Sequence, residues 1–275
     1  MIITKRNIIV SLLSIAALLQ LSLWIYDINS ENAMKASEAY YEELSQLNNA
    51  VSESEPPVKP DVKLDVQPEE APPLFPTGNF TYTPNPDSAL LKINPDYVGW
   101  IKIDNTKIDY PIVRGSDNEE YLDINFDREK DVLGSIFMDY RNIGMGMDRH
   151  TIIYGHYTER GYMFGDLKKY LDSDFLSSND TFTISTPQGE KTYQIFSMHI
   201  SPSEGPFLET QFKDIAYTDF LNLLKEESIV DRDVVLDDNL DLLSLVTCNY
   251  AVEDGRLFIH AIEVPQSEPP VQRVV

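Results

Sequence analysis

The chain has very little cysteine and little positive charge. One cysteine among 275 residues excludes an intrachain disulfide. Lysine and arginine number 22 against 45 aspartate and glutamate residues, which gives a formal net charge of -23. We therefore expect repulsion from nucleic acids and from anionic lipid surfaces. Because the acidic residues are spread along the chain, they indicate solubility rather than one particular partner.

Motifs that often mark a chemical function are also absent. The sequence has no glycine-rich phosphate loop and no Gly-x-Ser-x-Gly nucleophile motif. Its four histidines are not spaced three or four residues apart, and there is no second cysteine to complete a metal site. We thus predict neither a metal nor another cofactor. The candidate chemistry that remains is a cysteine and a histidine that are distant in sequence but close in the fold.

The chain has one long apolar run, Ile8–Tyr26, which lies near its N-terminus. About 20 apolar residues span a bilayer as a helix. Lys5 and Arg6 precede the run, and Asp27 and Glu31 follow it. This asymmetry predicts a transmembrane signal anchor over residues 8–26, with residues 1–7 in the cytoplasm and the rest of the chain outside. A cleaved signal peptide is the alternative, but the run is long for one and no small-x-small site clearly closes it.

Two different segments follow the apolar run. Residues 29–50 are rich in Ala, Glu and Ser, and Tyr40, Leu44 and Leu47 fall at helical spacing, which predicts a helix. Residues 51–78 are rich in proline, which excludes helix and interior strand and predicts a semi-rigid linker. We therefore expect an extracellular helix and a Pro/Glu-rich linker over residues 27–79, a globular domain over 80–264, and a flexible tail over 265–275.

The globular part alternates short β-rich runs with two helical insertions. Strands are predicted at 98–103, 108–113, 134–139, 151–154, 181–186 and 191–200, with two more at the C-terminal end. Pro111 suggests an edge strand or a bulge. Met163, Leu167, Tyr170 and Leu171 form a helical stripe, and the spacing from Tyr217 to Leu224 predicts a longer helix over about 214–227. The fold class expected is mostly β, as a closed sheet or barrel with helical insertions.

The single cysteine ends the first of the two C-terminal strands. Leu242–Tyr250 alternates as a strand, and Asp254–His260 begins another after a loop that ends in Asp-Gly. If these strands are paired neighbours, Cys248 and Arg256 face each other with Cβ atoms about 5 Å apart. A thiol beside a fixed cation suits a nucleophile. The alternative is a buried cysteine that acts as a small hydrophobe.

The four histidines differ in their sequence surroundings. His260 alternates with apolar residues inside a strand, and His199 ends an apolar strand, so both are interpreted as structural. His150 lies beside Arg149 in a polar segment and is predicted to be solvated. His156 follows an apolar strand and a glycine, which places it at a strand end, where folds commonly carry functional groups. It is the histidine that we consider catalytic.

Several motifs together resemble class B sortases, which are membrane-anchored cysteine transpeptidases of Gram-positive bacteria. The segments are Asn94–Ile101, Ile108–Val113, Asp117–Leu122, Gly134–Asn142, Thr151–His156, Met163–Leu167 and Ser244–Cys248. The last is similar to the family's Thr-Leu-x-Thr-Cys signature, with a serine that keeps the first hydroxyl. The resemblance covers about residues 94–264. It implies a closed sortase-type β-barrel with a long helix before the last two strands. In this chain the barrel is expected to follow the predicted transmembrane helix and proline-rich linker, and so long a linker is less typical of the family.

The resemblance also implies a role for each candidate residue. Cys248 matches the nucleophile, His156 the general acid/base, and Arg256 the arginine that stabilises the oxyanion and positions the substrate. A nearby cation favours the thiolate, a histidine can deliver a proton to the leaving amine, and an arginine stays charged beside a developing oxyanion. The implied substrates are secreted surface or pilin proteins that bear a C-terminal sorting signal.

Alternatives remain open at this point. The acyl acceptor is either an amine of a peptidoglycan precursor or a lysine of a pilin subunit, and the sequence does not choose between cell-wall anchoring and pilus polymerisation. A papain-like thiol hydrolase would need a helix that begins at the cysteine, whereas here a strand leads into it. A non-catalytic surface or adhesion module would carry an inert buried cysteine.

Overall fold

A computed structural model provides the fold of the chain. It describes residues 5–54, 89–144, 147–186, 189–203, 206–212, 215–248 and 254–264. Within residues 5–54 the side chains of 18–49 are described, and Cys248 is described through its backbone alone. The proline-rich linker and the C-terminal tail predicted from the sequence lie outside the described residues.

Eight strands of the described residues form a closed barrel in the order β1-β2-β3-β4-β7-β8-β6-β5, with β5 pairing back onto β1. The strands are β1 (Tyr97–Lys102), β2 (Asp109–Val113), β3 (Ile136–Met138), β4 (His150–Tyr154), β5 (Thr181–Thr186), β6 (Gly189–Pro202), β7 (Leu242–Cys248) and β8 (Gly255–Glu263). Two neighbouring pairs, β2–β3 and β4–β7, are parallel, and the others are antiparallel. The mostly β, closed-barrel fold predicted from the sequence is confirmed.

The described helices are α1 (Lys5–Ser54), α2 (Ala89–Ile93), α3 (Ser173–Ser178) and α4 (Tyr217–Glu226), with 3₁₀ turns at Glu120–Leu122, Gly165–Leu171 and Pro206–Leu208. Helix α4 is the long helix predicted before the last two strands. The helical stripe predicted near residue 167 is a 3₁₀ turn. Met163 lies before this turn, with a φ of 50° that no helix adopts, and Leu171 is exposed. The four residues therefore do not form the buried face of one longer helix.

Apolar residues are buried on both faces of the sheet, because α4 covers part of the outside. The larger core cluster includes Ile153 of β4 and Leu243, Leu245 and Ile259 of the C-terminal hairpin. On the outer face, the intervening residues pack against α4. This second core contains Ile152, Phe196, Phe207, Phe220, Leu221, Leu224, Val234, Leu242, Val246, Phe258 and Ile262. Strands buried on both faces read as nearly continuous apolar runs, which accounts for the sequence of β7.

The edge position suggested by Pro111 is wrong, because β2 pairs with β1 on one side and β3 on the other. Pro111 has no N–H to donate, but the β2–β3 ladder includes only Ile112 and Val113 on the β2 side. The proline therefore lies beside the point where this ladder begins. The bulge in this part of the barrel lies in β1, between Tyr97 and Gly99.

The solvated position predicted for His150 is also wrong. It begins β4 as a fully buried residue. Its Nδ1 lies 2.6 Å from the carbonyl oxygen of Glu209, and its Nε2 lies 2.7 Å from Ser244 Oγ. The polar neighbours of His150 in sequence indicated solvent, but the parallel pairing of β4 with β7 places the imidazole under α4. His199 and His260, which the sequence analysis interpreted as structural, are buried as well.

Helix α1 packs against the barrel through its C-terminal half. Tyr41 and Leu44 are buried and belong to the interior core cluster, whereas Leu47 is 41% exposed. Residues 8–17 of the predicted anchor form part of this helix, but their side chains are not described. Of the residues that are described, no helical stretch has the length and apolarity required to cross a membrane.

Candidate active site

The hairpin formed by β7 and β8 places Cys248 opposite Arg256. The two residues are direct partners in the antiparallel ladder, at its last recorded pair. Directly opposed Cα atoms in such a ladder lie about 4.5–5.5 Å apart. Asp254, in the Asp-Gly step before β8, adopts a φ of 51°, so the aspartate rather than the glycine takes the left-handed conformation that the turn requires. The cross-strand arrangement predicted for Cys248 and Arg256 is thus present in the backbone.

His156 lies two residues beyond the end of β4, on the loop that leaves the barrel rim. Gly155 before it has no room for a side chain, since an added Cβ would lie 2.4 Å from Ile136 Cδ1 and 2.8 Å from the Phe164 ring. The Gly155 N–H donates to the carbonyl oxygen of Val246 on β7, at 3.1 Å. This close packing brings the loop that carries the histidine against the strand that ends at the cysteine.

The His156 imidazole is half-buried and has a defined partner. Its Nε2 lies 2.6 Å from the main-chain carbonyl oxygen of Leu122. A carbonyl oxygen can only accept, so Nε2 carries a proton, and Nδ1 is the ring atom left to exchange one with a reacting group.

One cavity of about 380 Å³ joins the predicted site residues. His156 and Arg256 both line it, together with Val246 and Thr247, the residues of β7 that immediately precede Cys248. The remaining lining residues are Asn118, Leu122, Phe137, Tyr154, Gly155 and Ser203. The structure therefore brings His156 and Arg256 to one cavity at the end of β7, although they are 100 residues apart in sequence.

Arg256 is partly exposed, and its guanidinium is anchored at one end. Its Nη1 donates to the carbonyl oxygens of Asp254 and Gly255, at 3.2 and 3.1 Å. These contacts hold one arm of the planar fork, the Nη1 end, against its own turn. An arginine fixed in this way keeps its positive charge at the cavity wall, where an anionic group of a substrate would approach.

Sequence reasoning from chemistry missed the buried carboxylate of Asp139 behind the cavity wall. Asp139 accepts two hydrogen bonds from the Arg141 guanidinium, at 2.8 and 2.7 Å, and one from Tyr154 Oη at 2.9 Å. It also accepts one from Asn118 Nδ2 at 3.1 Å. Two cavity-lining residues, Tyr154 and Asn118, are therefore fixed by one carboxylate. The signal in the sequence was the position of Asp139 directly after a strand, inside a motif shared with the family.

The charge states of this cluster follow from its surroundings. Burial acts to raise the pKa of Asp139, but hydrogen bonds from Arg141 and Tyr154 outweigh it and hold that pKa below its ordinary value. Burial and the neighbouring Asp139 carboxylate raise the pKa of Tyr154, so the phenol keeps its proton and donates. Within the described parts of the chain, no group of His, Cys, Asp and Glu residues could hold a metal ion.

Comparison with known proteins relates this site to one family. A family model described as the sortase domain matches residues 101–264. Sortase B of Listeria monocytogenes is 39% identical over 173 residues, which cover 62% of this chain and 70% of that protein. Sortase B of Staphylococcus aureus is 34% identical over 167 residues, which cover 60% of this chain and 68% of that protein.

Solved structures give the same relation. A sortase B from B. anthracis in complex with AAEK1 superimposes with a TM-score of 0.60 at 40% identity, over 65% of this chain and 83% of that one. A Staphylococcus aureus sortase B–substrate complex superimposes with a TM-score of 0.68 at 29% identity, over 85% of this chain and 98% of that one.

Proposed function

Because this chain belongs to the sortase family of cysteine transpeptidases, and within it to class B, we propose that Cys248, His156 and Arg256 carry out its transfer reaction. One observation carries the assignment: His156 and Arg256 line the same cavity, and the β-ladder places Arg256 opposite Cys248. A papain-like hydrolase and an adhesion module lack support, since a strand leads into the cysteine and the family is enzymatic.

The first half of the reaction acylates the enzyme. The Cys248 thiolate attacks the carbonyl carbon of the scissile peptide bond, and the carbonyl oxygen becomes an oxyanion. Arg256 stabilises this oxyanion through its fixed positive charge. As the carbon–nitrogen bond breaks, protonated His156 gives its proton to the leaving amine. The products are a thioester on Cys248 and a released C-terminal peptide.

The second half transfers the acyl group to a new amine. The acceptor amine attacks the thioester carbonyl, and a second oxyanion forms beside Arg256. His156, now neutral, takes the proton that the attacking amine loses. Collapse of the intermediate breaks the carbon–sulfur bond and regenerates the thiolate. The new amide bond links the substrate protein to the acceptor.

The substrate class proposed is a secreted protein with a C-terminal sorting signal. The similar Staphylococcus aureus protein has been solved as a substrate complex, which supports this substrate class. We propose that the acceptor is a primary amine, supplied either by a peptidoglycan precursor or by a lysine of a pilin subunit. The two sources are distinguished by incubating the thioester enzyme with each amine and identifying the product mass.

The decisive experiment is detection of the thioester. The full chain is incubated with a panel of candidate sorting-signal peptides without an acceptor amine, and the intact mass is measured. We expect an increase equal to the acyl fragment, and its absence in Cys248→Ala. An adduct of equal mass on Cys248→Ala would reject the cysteine as the nucleophile. The control is Thr247→Ser, which keeps the hydroxyl next to the cysteine and is expected to retain the adduct.

We also propose that residues 8–26 anchor the enzyme in the cell membrane, with residues 1–7 cytoplasmic and the catalytic domain outside. The apolar run and the asymmetry of its flanking charges support this orientation. In intact cells, a protease added outside should degrade the catalytic domain. In a separate experiment without protease, the protein should stay in the membrane fraction after carbonate washing. Release by carbonate, or protection from the protease, would contradict the proposal.

A further inference from the structure

The hydrogen bond that orients His156 leads away from the cavity into a second layer of contacts. The partner of its Nε2 is a main-chain carbonyl oxygen, that of Leu122, in the 3₁₀ turn Glu120–Leu122. Because this oxygen determines which ring nitrogen carries the proton, a displacement of the Leu122 carbonyl would alter both the tautomer and the ring orientation of the imidazole. The groups that fix Leu122 therefore bear on catalysis.

Residues 131–135 form the segment that packs against Leu122. Gly134 has a φ of +58°, and an added Cβ would lie 2.4 Å from the Leu122 carbonyl oxygen and 2.7 Å from that of Tyr121. The Ser135 N–H donates to the carbonyl oxygen of Tyr121 at 3.0 Å, and the Asp131 N–H donates to the carbonyl oxygen of Asp123 at 2.9 Å. The segment thus hydrogen-bonds to the residues on both sides of Leu122, and Gly134 packs directly against the Leu122 carbonyl oxygen.

Helix α1 in turn holds this segment. Tyr41 Oη donates to the carbonyl oxygen of Gly134 at 2.5 Å, and Ser37 Oγ donates to Asp131 Oδ1 at 2.6 Å. Ser37 and Tyr41 are four residues apart, so they lie on one face of the helix, and both are buried. Burial raises the pKa of Tyr41, so its phenol remains protonated and available to donate.

We propose that Ser37 and Tyr41 are positioning residues for the transfer reaction. By holding Asp131 and Gly134, they fix the Leu122 carbonyl and, through it, the His156 imidazole. The inference rests on the proposed role of His156 as the acid/base. It assigns to α1 a part in catalysis that a spacer between a membrane and a domain would not have.

The variants that test this are Tyr41→Phe, Ser37→Ala and the pair combined, made in the full chain. Phenylalanine keeps the buried ring and removes the hydroxyl, so the core packing of α1 is preserved. The matched control is Tyr40→Phe, which removes a neighbouring hydroxyl whose partner is Asp127, outside residues 131–135. Thermal unfolding of each variant establishes that it is folded at the assay temperature.

Two measurements follow for each folded variant. The first is the ¹⁵N spectrum of the His156 imidazole, assigned by its loss in His156→Ala, which reports the Nε2–H tautomer. The second is the kcat and KM of sorting-signal cleavage. For the double variant we expect a mixed tautomer, a kcat lowered about tenfold and a KM within about twofold, because binding contacts are untouched. Tyr40→Phe should resemble the unaltered enzyme in both measurements.

Specific outcomes would overturn the inference. An unchanged His156 spectrum in the folded double variant would reject the positioning role, as would a changed spectrum with unaltered kcat. If the double variant does not fold, the same two measurements on Tyr41→Phe and Ser37→Ala decide the question by the same criteria. The acid/base assignment fails separately, if His156→Ala retains turnover.

Discussion

At the scale of single residues, the pairing of β7 with β8 brings Arg256 and Cys248 side by side. The hairpin register places them opposite each other, and the Arg256 guanidinium is held at one end by carbonyls of its own turn. A lysine in the same place would carry the charge on a flexible stem and could not keep both carbonyl contacts while facing an oxyanion. In the proposed mechanism, the position therefore requires the planar fork and not merely a positive charge.

We accordingly expect Arg256→Lys to lower kcat/KM by about 100–1000-fold, the range found when one oxyanion donor is lost. The measurement is steady-state cleavage of a sorting-signal peptide, combined with the yield of thioester. Arg160→Lys is the matched control, since Arg160 is 49% exposed, does not line the cavity, and pairs with Glu38 at 3.0 Å, a contact that a lysine can keep. It should retain the kcat/KM of the parent within about twofold. Parent-like kinetics in Arg256→Lys would remove the arginine from the mechanism.

At the scale of elements, α4 and the strands beneath it enclose three histidines in two hydrogen-bonded groups. Ser244 Oγ lies 2.7 Å from His150 Nε2 and 2.6 Å from His260 Nδ1, and Ser197 Oγ lies 2.7 Å from His199 Nε2. The serine that replaces threonine in the family signature thus joins two buried imidazoles. Burial lowers the pKa of His150 and of His199 to about 4, and that of His260 well below its ordinary value.

These shifts determine how stability depends on pH. The unfolded chain binds protons on these histidines below about pH 6.5, whereas the folded protein resists protonation until about pH 4. The stabilisation is therefore fully present above pH 6.5 and is lost as the pH falls from 6.5 towards 4. For His150 alone, the loss across this window is on the order of 3 kcal/mol.

We expect urea unfolding to record this loss between pH 7 and pH 4.5, with a shallower pH dependence in His150→Gln than in the parent. Arg141, Asp139 and Glu209 are the charged groups that act on His150. They are unaltered in the variant, so the difference between the two curves isolates the histidine. Parallel curves for His150→Gln and the parent would contradict the assignment.

At the scale of the whole molecule, α1 and the barrel share one hydrophobic core. Tyr41 and Leu44 bury their side chains in the interior cluster, while Ser45 donates to Asp109 of β2 at 2.7 Å. The ring of Tyr41 meets that of Tyr110 edge-on, with centroids 5.5 Å apart. The C-terminal half of α1, which the sequence predicted to be a helix preceding the linker, thus packs onto the catalytic domain.

This packing predicts a cost in global stability. Leu44→Ala should lower the free energy of unfolding by about 2–5 kcal/mol, because it removes a buried side chain from a close-packed cluster. Leu47→Ala, one turn further on at a position 41% exposed, should change it by less than about 1 kcal/mol. Urea unfolding of the two variants measures the difference. Equal and small effects would mean that α1 does not stabilise the barrel.

The sequence by itself determined those features that are encoded in neighbouring residues. The alternation of β7 and β8 predicted the hairpin and the pairing of Cys248 with Arg256, and the glycine after β4 predicted a strand-end position for His156. Pattern and motif together were enough for a closed β-barrel with a helix before its last two strands, because side-chain periodicity follows from local backbone geometry.

The tertiary structure alone decided which distant segments meet. The parallel pairing of β4 with β7 buried His150, whose neighbours in sequence are polar, and it brought the loop of His156 to the end of β7. The docking of α1 on residues 131–135 had no local signal either. Contacts between residues that are tens of positions apart depend on how the whole sheet closes and what then covers it, which no single stretch of the chain encodes.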